Sequence, residues 1–187
     1  ACVCVNPIWV SFAVDLLKKR DVKVDTVVGF PLGATIPSVK VFETETVIAA
    51  GAEEVDVVMN IGALKSGDDA IVQRELAAIV DLTKHQGVVS KIIVETCYLT
   101  HLEKIRACTL VSDSGADFVK TSTGFGTKGA TVEDVQLLRK VGRCNMGVKA
   151  AGGIRTYDDV LTMITAGATR IGSSSGVQII ETRLETS

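Results

Sequence analysis

Short runs of β-branched residues alternate with longer amphipathic segments along this chain. The short runs predict seven strands, over residues 1–5, 23–30, 54–60, 91–97, 117–122, 146–151 and 169–173. The longer segments carry apolar residues at helical spacing and predict helices over residues 11–20, 37–52, 66–87, 100–116, 131–143 and 156–168. Repeated βα units indicate a parallel sheet covered on both faces, either an open doubly wound sheet or a closed barrel.

Helix starts and ends are marked by local signals. Four helix starts match the [ST]-x-x-[DE] capping signature, at Ser66–Asp69, Thr100–Glu103, Thr131–Asp134 and Thr156–Asp159. Glycines that favour a left-handed turn precede the next predicted strands at Gly51, Gly115 and Gly167. These signals support the helix predictions independently of the apolar periodicity.

The strand count bears on the choice of architecture. A (β/α)8 barrel has eight strands and typically about 250 residues, whereas this chain has 187 residues and begins inside a predicted strand. A first strand and an N-terminal helix lying outside this sequence would account for both differences. We therefore predict an α/β fold, namely a (β/α)8 TIM barrel that lacks its first strand and N-terminal helix here, as a single domain over residues 1–187.

The composition argues against nucleic acid and membranes as partners. A balance of 20 basic and 22 acidic residues leaves a net charge of −2, which creates no field able to hold a polyanion. No apolar run approaches the roughly 20 residues of a membrane helix, and the N-terminus lacks the order of a signal peptide. Five scattered cysteines without a CxxC pair favour a reducing, cytoplasmic compartment. His85 and His101 lie in different helical segments, so no metal site is expected.

Functional side chains in parallel α/β folds gather at the carboxyl ends of the strands. Asp56 lies on the strand face expected to point into the barrel, because Val55 and Val57 alternate with it. A buried ion pair that merely satisfies this carboxylate is an equally open interpretation. The other candidates near strand ends are Asn6, residues 29–35, Asn60, Glu95, Lys120, Lys149 and residues 171–176.

Lys120 and Lys149 occupy similar positions near the carboxyl ends of two consecutive strands. Lys120 alone could protect a strand edge, but a closed barrel has no edge. Two ammonium groups in a poorly solvated cavity repel each other, so one of them loses its proton and becomes a nucleophile at neutral pH. A free amine beside a proton-shuttling carboxylate indicates capture of a carbonyl as a Schiff base, with the iminium as electron sink for the adjacent C–C bond.

Two glycine- and serine-rich turns follow the last two predicted strands. Backbone amides at Gly152-Gly153 and hydroxyls in Ser173–Gly176, at a helix N-terminus, can cradle a phosphate. The loops after strands 7 and 8 of (β/α)8 barrels commonly form such a site, and these turns take those places if the first strand is absent. Considered separately, each turn is better explained by tight chain reversal.

Gly124, Gly126 and Gly129 spell the GxGxxG dinucleotide fingerprint between a predicted strand and a predicted helix. That fingerprint also needs an acidic residue about 20 positions later to bind the ribose hydroxyls. Lys149 occupies this place, and the motif follows the fifth strand rather than the first. Nicotinamide binding therefore ranks below the Schiff-base interpretation.

Seven stretches spread over the chain together resemble the deoxyribose-phosphate aldolase family. They are VCVNP, VVGFPLGAT, GAEEVDVVMNIGALKSG, KIIVETCYLT, GADFVKTSTGFG, GVKAAGGIRT and GATRIGSSSG. The resemblance implies a class I lyase of deoxyribonucleotide breakdown, needing neither metal nor organic cofactor. Such a lyase reversibly cleaves 2-deoxy-D-ribose 5-phosphate to acetaldehyde and D-glyceraldehyde 3-phosphate. The family's upstream strand and helix, with an IDHT-like segment, have no counterpart in this sequence.

The resemblance also implies roles for individual residues. Lys120 is expected to form the Schiff base, Lys149 to perturb the pKa of Lys120, and Asp56 to relay a proton through water. Contacts to the substrate and its phosphate are expected from Thr123, Gly124, Gly152, Gly153, Ser174 and Ser175. Three alternatives stay open: another Schiff-base phosphosugar lyase or transaldolase, a nicotinamide-dependent oxidoreductase, and a non-catalytic barrel. The expected partner is a small phosphosugar, and a homo-oligomer is also open.

Overall fold

Seven parallel strands alternate with helices in the computed structural model, which describes residues 1–185. The strands are β1 (Cys2–Val5), β2 (Lys23–Val28), β3 (Glu54–Val58), β4 (Val89–Ile93), β5 (Phe118–Lys120), β6 (Gly147–Ala151) and β7 (Arg170–Gly172). The helices are α1 (Val10–Leu17), α2 (Pro37–Ala49), α3 (Ile61–Lys65), α4 (Asp69–His85), α5 (His101–Ser114), α6 (Val132–Val141), α7 (Tyr157–Thr165) and α8 (Gly176–Glu185). The predicted strands are all present, whereas α3 and α8 lie outside the predicted helix ranges. None of the described helices is long and apolar enough to cross a bilayer.

The strands pair in chain order from β1 to β7, and every pair is parallel. Because the order never reverses, the sheet has no topological switch point of the kind found in doubly wound folds, at least within residues 1–185. The sheet curls into a half-barrel instead. The predicted α/β TIM-barrel class is thus confirmed, with seven strands where a closed barrel has eight.

The apolar core lies between the sheet and the helices that surround it. Val55, Val119 and Val148 face outward from their strands and are fully buried, and they share this core with Leu76 and Ile79 of α4. Each such side chain contributes roughly 1.5–3 kcal/mol when it leaves water. The apolar layer between the sheet and the helices therefore stabilises the fold. The alternate strand positions face the interior of the half-barrel and are available to charged side chains.

Most of the predicted helix caps are present. Thr100 and Glu103 form a complete capping box at the start of α5, and Thr156 and Asp159 do the same for α7. The side chain of Thr131 accepts a hydrogen bond in the first turn of α6. The predicted left-handed turns are found at Gly51, Gly115 and Gly167, with φ of +104°, +80° and +111°. Local signals therefore define these boundaries.

The predicted helix start at Ser66 is wrong. Ser66 lies at the end of α3, and Gly67 then turns the chain with a φ of +78°. Helix α4 begins at Asp69, where the side chain of Asp68 accepts a hydrogen bond from the Ile71 amide at 3.1 Å. The five-residue α3 is too short to show helical periodicity in the sequence, so the cap was predicted two residues too early.

Candidate active site

The interior of the half-barrel brings together three predicted side chains. Asp56 projects from β3, Lys120 from β5 and Lys149 from β6, and all three are buried. The Nζ atoms of Lys120 and Lys149 lie 2.6 Å and 2.5 Å from the same oxygen, Oδ2 of Asp56. Lys120 and Lys149 are also direct ladder partners on adjacent strands, which places their side chains next to each other.

The surrounding charges determine the protonation of this group. Burial alone would raise the pKa of Asp56, but the ammonium groups of Lys120, Lys149 and Lys91 outweigh it and hold that pKa well below its usual range. Burial would lower the pKa of Lys149, yet the carboxylates of Asp56 and Asp25 raise it above its ordinary value. Repulsion was expected to release a proton from one lysine of the pair, and Lys149 is the lysine that retains its proton.

Four charged residues of the same cluster, Asp25, Glu54, Lys91 and Arg170, were not among the predicted site residues. The Nζ atom of Lys91 contacts three carboxylates, at 3.1 Å from Asp25, 2.8 Å from Glu54 and 2.9 Å from Asp56. Arg170 on β7 reaches across the interior to Glu54, at 2.9 Å. The signal that identified Asp56, a charged residue among apolar neighbours at an inward strand position, also holds for Asp25 and Lys91.

The cluster carries an excess of positive charge. In their ordinary charge states its cations are Lys91, Lys120, Lys149 and Arg170, and its carboxylates are Asp25, Glu54 and Asp56. Four cations against three anions leave one uncompensated charge in a poorly hydrated interior, which is unfavourable. Loss of a single proton from the cluster would restore neutrality.

A cavity of about 670 Å³ opens at the carboxyl ends of the strands and reaches both Lys120 and Lys149. The predicted substrate-binding residues that line it are Thr123, Gly124, Gly152, Gly153 and Ser174. Asn6 and Arg155 line it as well. Asp56 and Ser175 are not among its lining residues. Asp56 therefore meets the cavity through the two amines that contact it, and the substrate contact expected from Ser175 stays a prediction.

Glu95, a strand-end candidate, holds the loop that follows the Lys120 strand. It is buried and adopts a left-handed backbone with a φ of +52°, which a residue with a side chain rarely does. Its carboxylate accepts hydrogen bonds from the Thr123 amide, at 3.2 Å, and from the Thr123 hydroxyl. Because Thr123 and Gly124 line the cavity, this anchoring fixes one wall of the site. Strained backbone of this kind is concentrated at functional sites.

The glycines of the GxGxxG motif pack against neighbouring loops. A Cβ atom at Gly129 would lie 2.1 Å from the carbonyl oxygen of Gly152, and one at Gly126 would lie 2.6 Å from Cys97 Sγ. Gly129 therefore permits close contact between two backbone segments, and Gly126 leaves room for the Cys97 side chain. Lys149, at the place of the ribose-binding acid, contacts two carboxylates, and the sheet shows no switch point among the described residues. The nicotinamide alternative gains no support from this geometry.

The serine-rich turn after β7 is tied to the loop after β6. Ser173 donates its hydroxyl hydrogen to the carbonyl oxygen of Ile154, at 2.7 Å, and accepts a hydrogen bond from the Ser175 amide, at 3.0 Å. These bonds hold Ser174 at the cavity, where Gly152 and Gly153 also lie. The glycine-rich turn after β6 and the serine-rich turn after β7 thus belong to one wall of the cavity. Helix α8 begins directly after this wall.

Potential metal ligands occur in two groups of the described chain, Cys2 with Asp25 and Glu54, and Cys4 with Asp25 and Asp56. All three carboxylates already contact lysine or arginine side chains. A cation would have to displace an ammonium or guanidinium group, so these residues act as ion-pair partners. His85 and His101 are exposed on α4 and α5.

Comparison with known proteins assigns the chain to a family. Residues 1–181 match the model of the DeoC/LacD family aldolases. The deoxyribose-phosphate aldolase of Thermococcus gammatolerans is 60% identical over 181 residues, which are 96% of this chain and 80% of that protein.

Two solved structures agree with the sequence match. An aldolase named QR15 superposes with a TM-score of 0.93 at 44% identity, covering 98% of this chain and 81% of that one. The deoxyribose phosphate aldolase of Aeropyrum pernix, described as tetrameric, superposes with a TM-score of 0.86 at 38% identity, covering 100% of this chain and 78% of its own. From the sequence match, the shared fold and the shape of the site together, the chain belongs to the DeoC/LacD family of aldolases.

Proposed function

We propose that this protein is a class I aldolase that reversibly cleaves 2-deoxy-D-ribose 5-phosphate to acetaldehyde and D-glyceraldehyde 3-phosphate, with Lys120 as the Schiff-base lysine. The observation that carries the proposal is the shared contact of Lys120 and Lys149 with one oxygen of Asp56, next to a cavity that both amines reach. Relatives that are 56–60% identical and named deoxyribose-phosphate aldolase support the choice of substrate.

The reaction begins with a neutral amine on Lys120. This amine adds to the C1 aldehyde of the substrate, and the resulting carbinolamine takes up a proton and loses water to form an iminium ion. The C3 hydroxyl then gives up its proton, the C2–C3 bond breaks, and its electron pair moves toward the iminium nitrogen to form an enamine. Glyceraldehyde 3-phosphate leaves. Protonation of the enamine at C2 and hydrolysis of the new iminium release acetaldehyde and restore Lys120.

Asp56 and Lys149 have complementary tasks in this scheme. Asp56 stays ionised when Lys120 is neutral, because the ammonium groups of Lys149 and Lys91 still stabilise its carboxylate, and it can accept a proton and pass it on through water. Lys149 stays an ammonium group and disfavours a second positive charge on its neighbour. The excess positive charge of the cluster disappears when Lys120 gives up its proton, so the reactive form of the enzyme is also the form with balanced charges.

The phosphate of the substrate is assigned to the wall formed by Gly124, Gly152, Gly153 and Ser174. The backbone amides of the glycines and the hydroxyl of the serine are suitable hydrogen-bond donors to a phosphate. Helix α8 begins directly after this wall, and a helix N-terminus also favours a bound anion. Arg155 lines the same cavity and supplies a positive charge. Ser175 contributes through its backbone amide, which orients Ser173, rather than through its hydroxyl.

Borohydride trapping tests the proposal. Incubation with acetaldehyde followed by borohydride should leave a reduced N-ethyl adduct on Lys120, identified by peptide mass mapping. Lys120→Arg retains the charge but should abolish both the adduct and cleavage activity, while Lys140→Arg, a change at an exposed helix position, should alter neither. An adduct on a lysine other than Lys120 in the unmodified protein would refute the assignment. Tests with longer ketose phosphates distinguish the enzyme from a transaldolase, which would transfer a three-carbon unit.

The cellular setting and assembly form part of the same proposal. We place the enzyme in the cytoplasm, in deoxyribonucleotide breakdown, since all five cysteines are free in the described chain. We also infer a homo-oligomer, because the apolar side chains of Trp9, Phe12 and Phe42 are more than half exposed. Sedimentation velocity on the purified protein measures its oligomeric state directly.

A further inference from the structure

Lys120 and Lys149 are nearly equivalent with respect to Asp56. Their Nζ atoms lie 2.6 Å and 2.5 Å from the same carboxylate oxygen, and their side chains are 7% and 5% exposed. Both also border the cavity. Contact with Asp56 therefore does not explain why one of these amines, rather than the other, should give up its proton and react with a carbonyl.

Asp25 breaks this equivalence. It projects from β2, is fully buried, and places its Oδ2 atom 3.0 Å from the Nζ atom of Lys149. In residues 1–185, the ion pair with Asp56 is the one carboxylate contact of Lys120. Lys149 thus has two carboxylate partners and Lys120 has one.

Lys91 holds Asp25 in this arrangement. Its Nζ atom lies 3.1 Å from Oδ1 of Asp25, the oxygen that Lys149 does not contact, and 2.9 Å from Oδ1 of Asp56. The two carboxylates are thereby bridged from one side by Lys91 and from the other by Lys149. Asp25 is thus paired with Lys91 and Lys149, and within residues 1–185 it forms no ion pair with Lys120, so the two candidate amines are not equivalent.

We infer, on the basis of the Schiff-base function proposed above, that Asp25 is the positioning residue that decides which of the two lysines becomes the reactive amine. A second carboxylate stabilises the ammonium form of Lys149, so the one proton that the cluster loses leaves Lys120. The raised pKa of Lys149, to which Asp25 contributes after Asp56, agrees with this assignment. The charged and titratable groups around Lys149 are Cys2, Cys4, Asp25, Asp56, Lys91, Lys120 and Arg170.

The charge count predicts how the cluster responds when Lys120 is removed. In Lys120→Met, three cations face three carboxylates, and Lys149 should keep its proton. Adding Asp25→Asn leaves three cations facing two carboxylates, so loss of a proton from Lys149 again restores neutrality. Glu54→Gln makes the matched control. It removes the same charge from the cluster but takes a carboxylate partner from Lys91 and Arg170 and leaves Lys149 with both of its own, so the proton that restores neutrality leaves Lys91.

The experiment is acetaldehyde and borohydride trapping at neutral pH, with the adduct located by mass mapping. In Lys120→Met, the amount of adduct on Lys149 should be at least roughly tenfold lower than the amount of adduct on Lys120 in the unmodified protein. A factor of this size corresponds to one charge-assisted contact in a buried site. Lys120→Met with Asp25→Asn should raise the Lys149 adduct roughly tenfold or more, and Lys120→Met with Glu54→Gln should not.

Two results would overturn the role of Asp25. The first is that Lys149 in Lys120→Met forms as much adduct as Lys120 does in the unmodified protein. This measurement does not depend on the folding of any Asp25 variant. The second is an equal gain of Lys149 adduct with Asp25→Asn and with Glu54→Gln. Failure of the unmodified protein to give any Lys120 adduct would instead refute the proposed function, so the two failures are distinguishable.

Discussion

The Nζ atom of Lys91 lies 2.9 Å from Oδ1 of Asp56, the carboxylate oxygen that neither Lys120 nor Lys149 contacts. Oδ2 of Asp56 therefore contacts the two amines at the cavity, Lys120 and Lys149. Oδ1 contacts the ammonium group of Lys91, which is fully buried and does not border the cavity. This division explains how a single carboxylate can face two lysines and still keep a fixed orientation.

Lys91→Met should destabilise the protein strongly. The change removes the cation that three buried carboxylates share and leaves them poorly compensated, which costs about 3–5 kcal/mol for a broken buried pair. Urea unfolding followed by circular dichroism measures the loss. Lys18→Met is the matched control, because Lys18 and Asp15 are 2.6 Å apart but each 67% exposed, and it should change the unfolding free energy little. Equal losses in both variants would contradict the importance assigned to Lys91.

Glu95→Gln should weaken substrate binding. The amide and the hydroxyl of Thr123 both donate to one oxygen of the Glu95 carboxylate, and the neutral oxygen of glutamine accepts weaker hydrogen bonds than a carboxylate oxygen, so the cavity wall at Thr123 loosens. We expect a higher KM and a loss of about 1–3 kcal/mol in unfolding free energy. Thr123→Val removes the other partner, so the double variant should lose less than the sum of the single losses. Additive losses would show that the two residues do not act together.

Stability should fall on acidification below the ordinary carboxyl pKa. The pKa of Asp56 is lowered in the folded protein from an ordinary value of 3.8, so the unfolded chain binds more protons in this range. The contribution of Asp56 is fully present above that value and is lost as the pH falls through the lower folded-state pKa. Unfolding free energies measured from pH 6 to pH 2.5 should show this decline. In Asp56→Asn the decline should be shallower, and identical slopes in the two proteins would refute the prediction.

Ser174→Asp should discriminate between phosphorylated and unphosphorylated substrates. A carboxylate in the wall assigned to the phosphate repels the dianion, and we expect KM for 2-deoxyribose 5-phosphate to rise by roughly tenfold or more, an effect of about 1.4 kcal/mol. Turnover of unphosphorylated 2-deoxyribose should change little. Ser38→Asp, on the exposed face of α2, is the control for a general change of charge. An equal effect on both sugars would place the phosphate elsewhere.

Much of the fold was predictable because its signals are local. The strand runs were recognised from β-branched residues, and Thr100, Thr131 and Thr156 marked helix starts through bonds that span three residues. Where the local signal was absent, the prediction failed. The short helix α3 displaced the cap from Ser66 to Asp68, since five residues are too few to show a period.

The sequence by itself determined the strand and helix pattern, the inward positions of Asp56, Lys120 and Lys149, and the family resemblance, because alternation and motif spacing are properties of neighbouring residues. Only the tertiary structure decided the pairing of charges. Asp25 and Lys149 are 124 residues apart in sequence yet 3.0 Å apart in space. Contacts across the interior depend on how the sheet curls, and no local pattern encodes which carboxylate a buried ammonium group will meet.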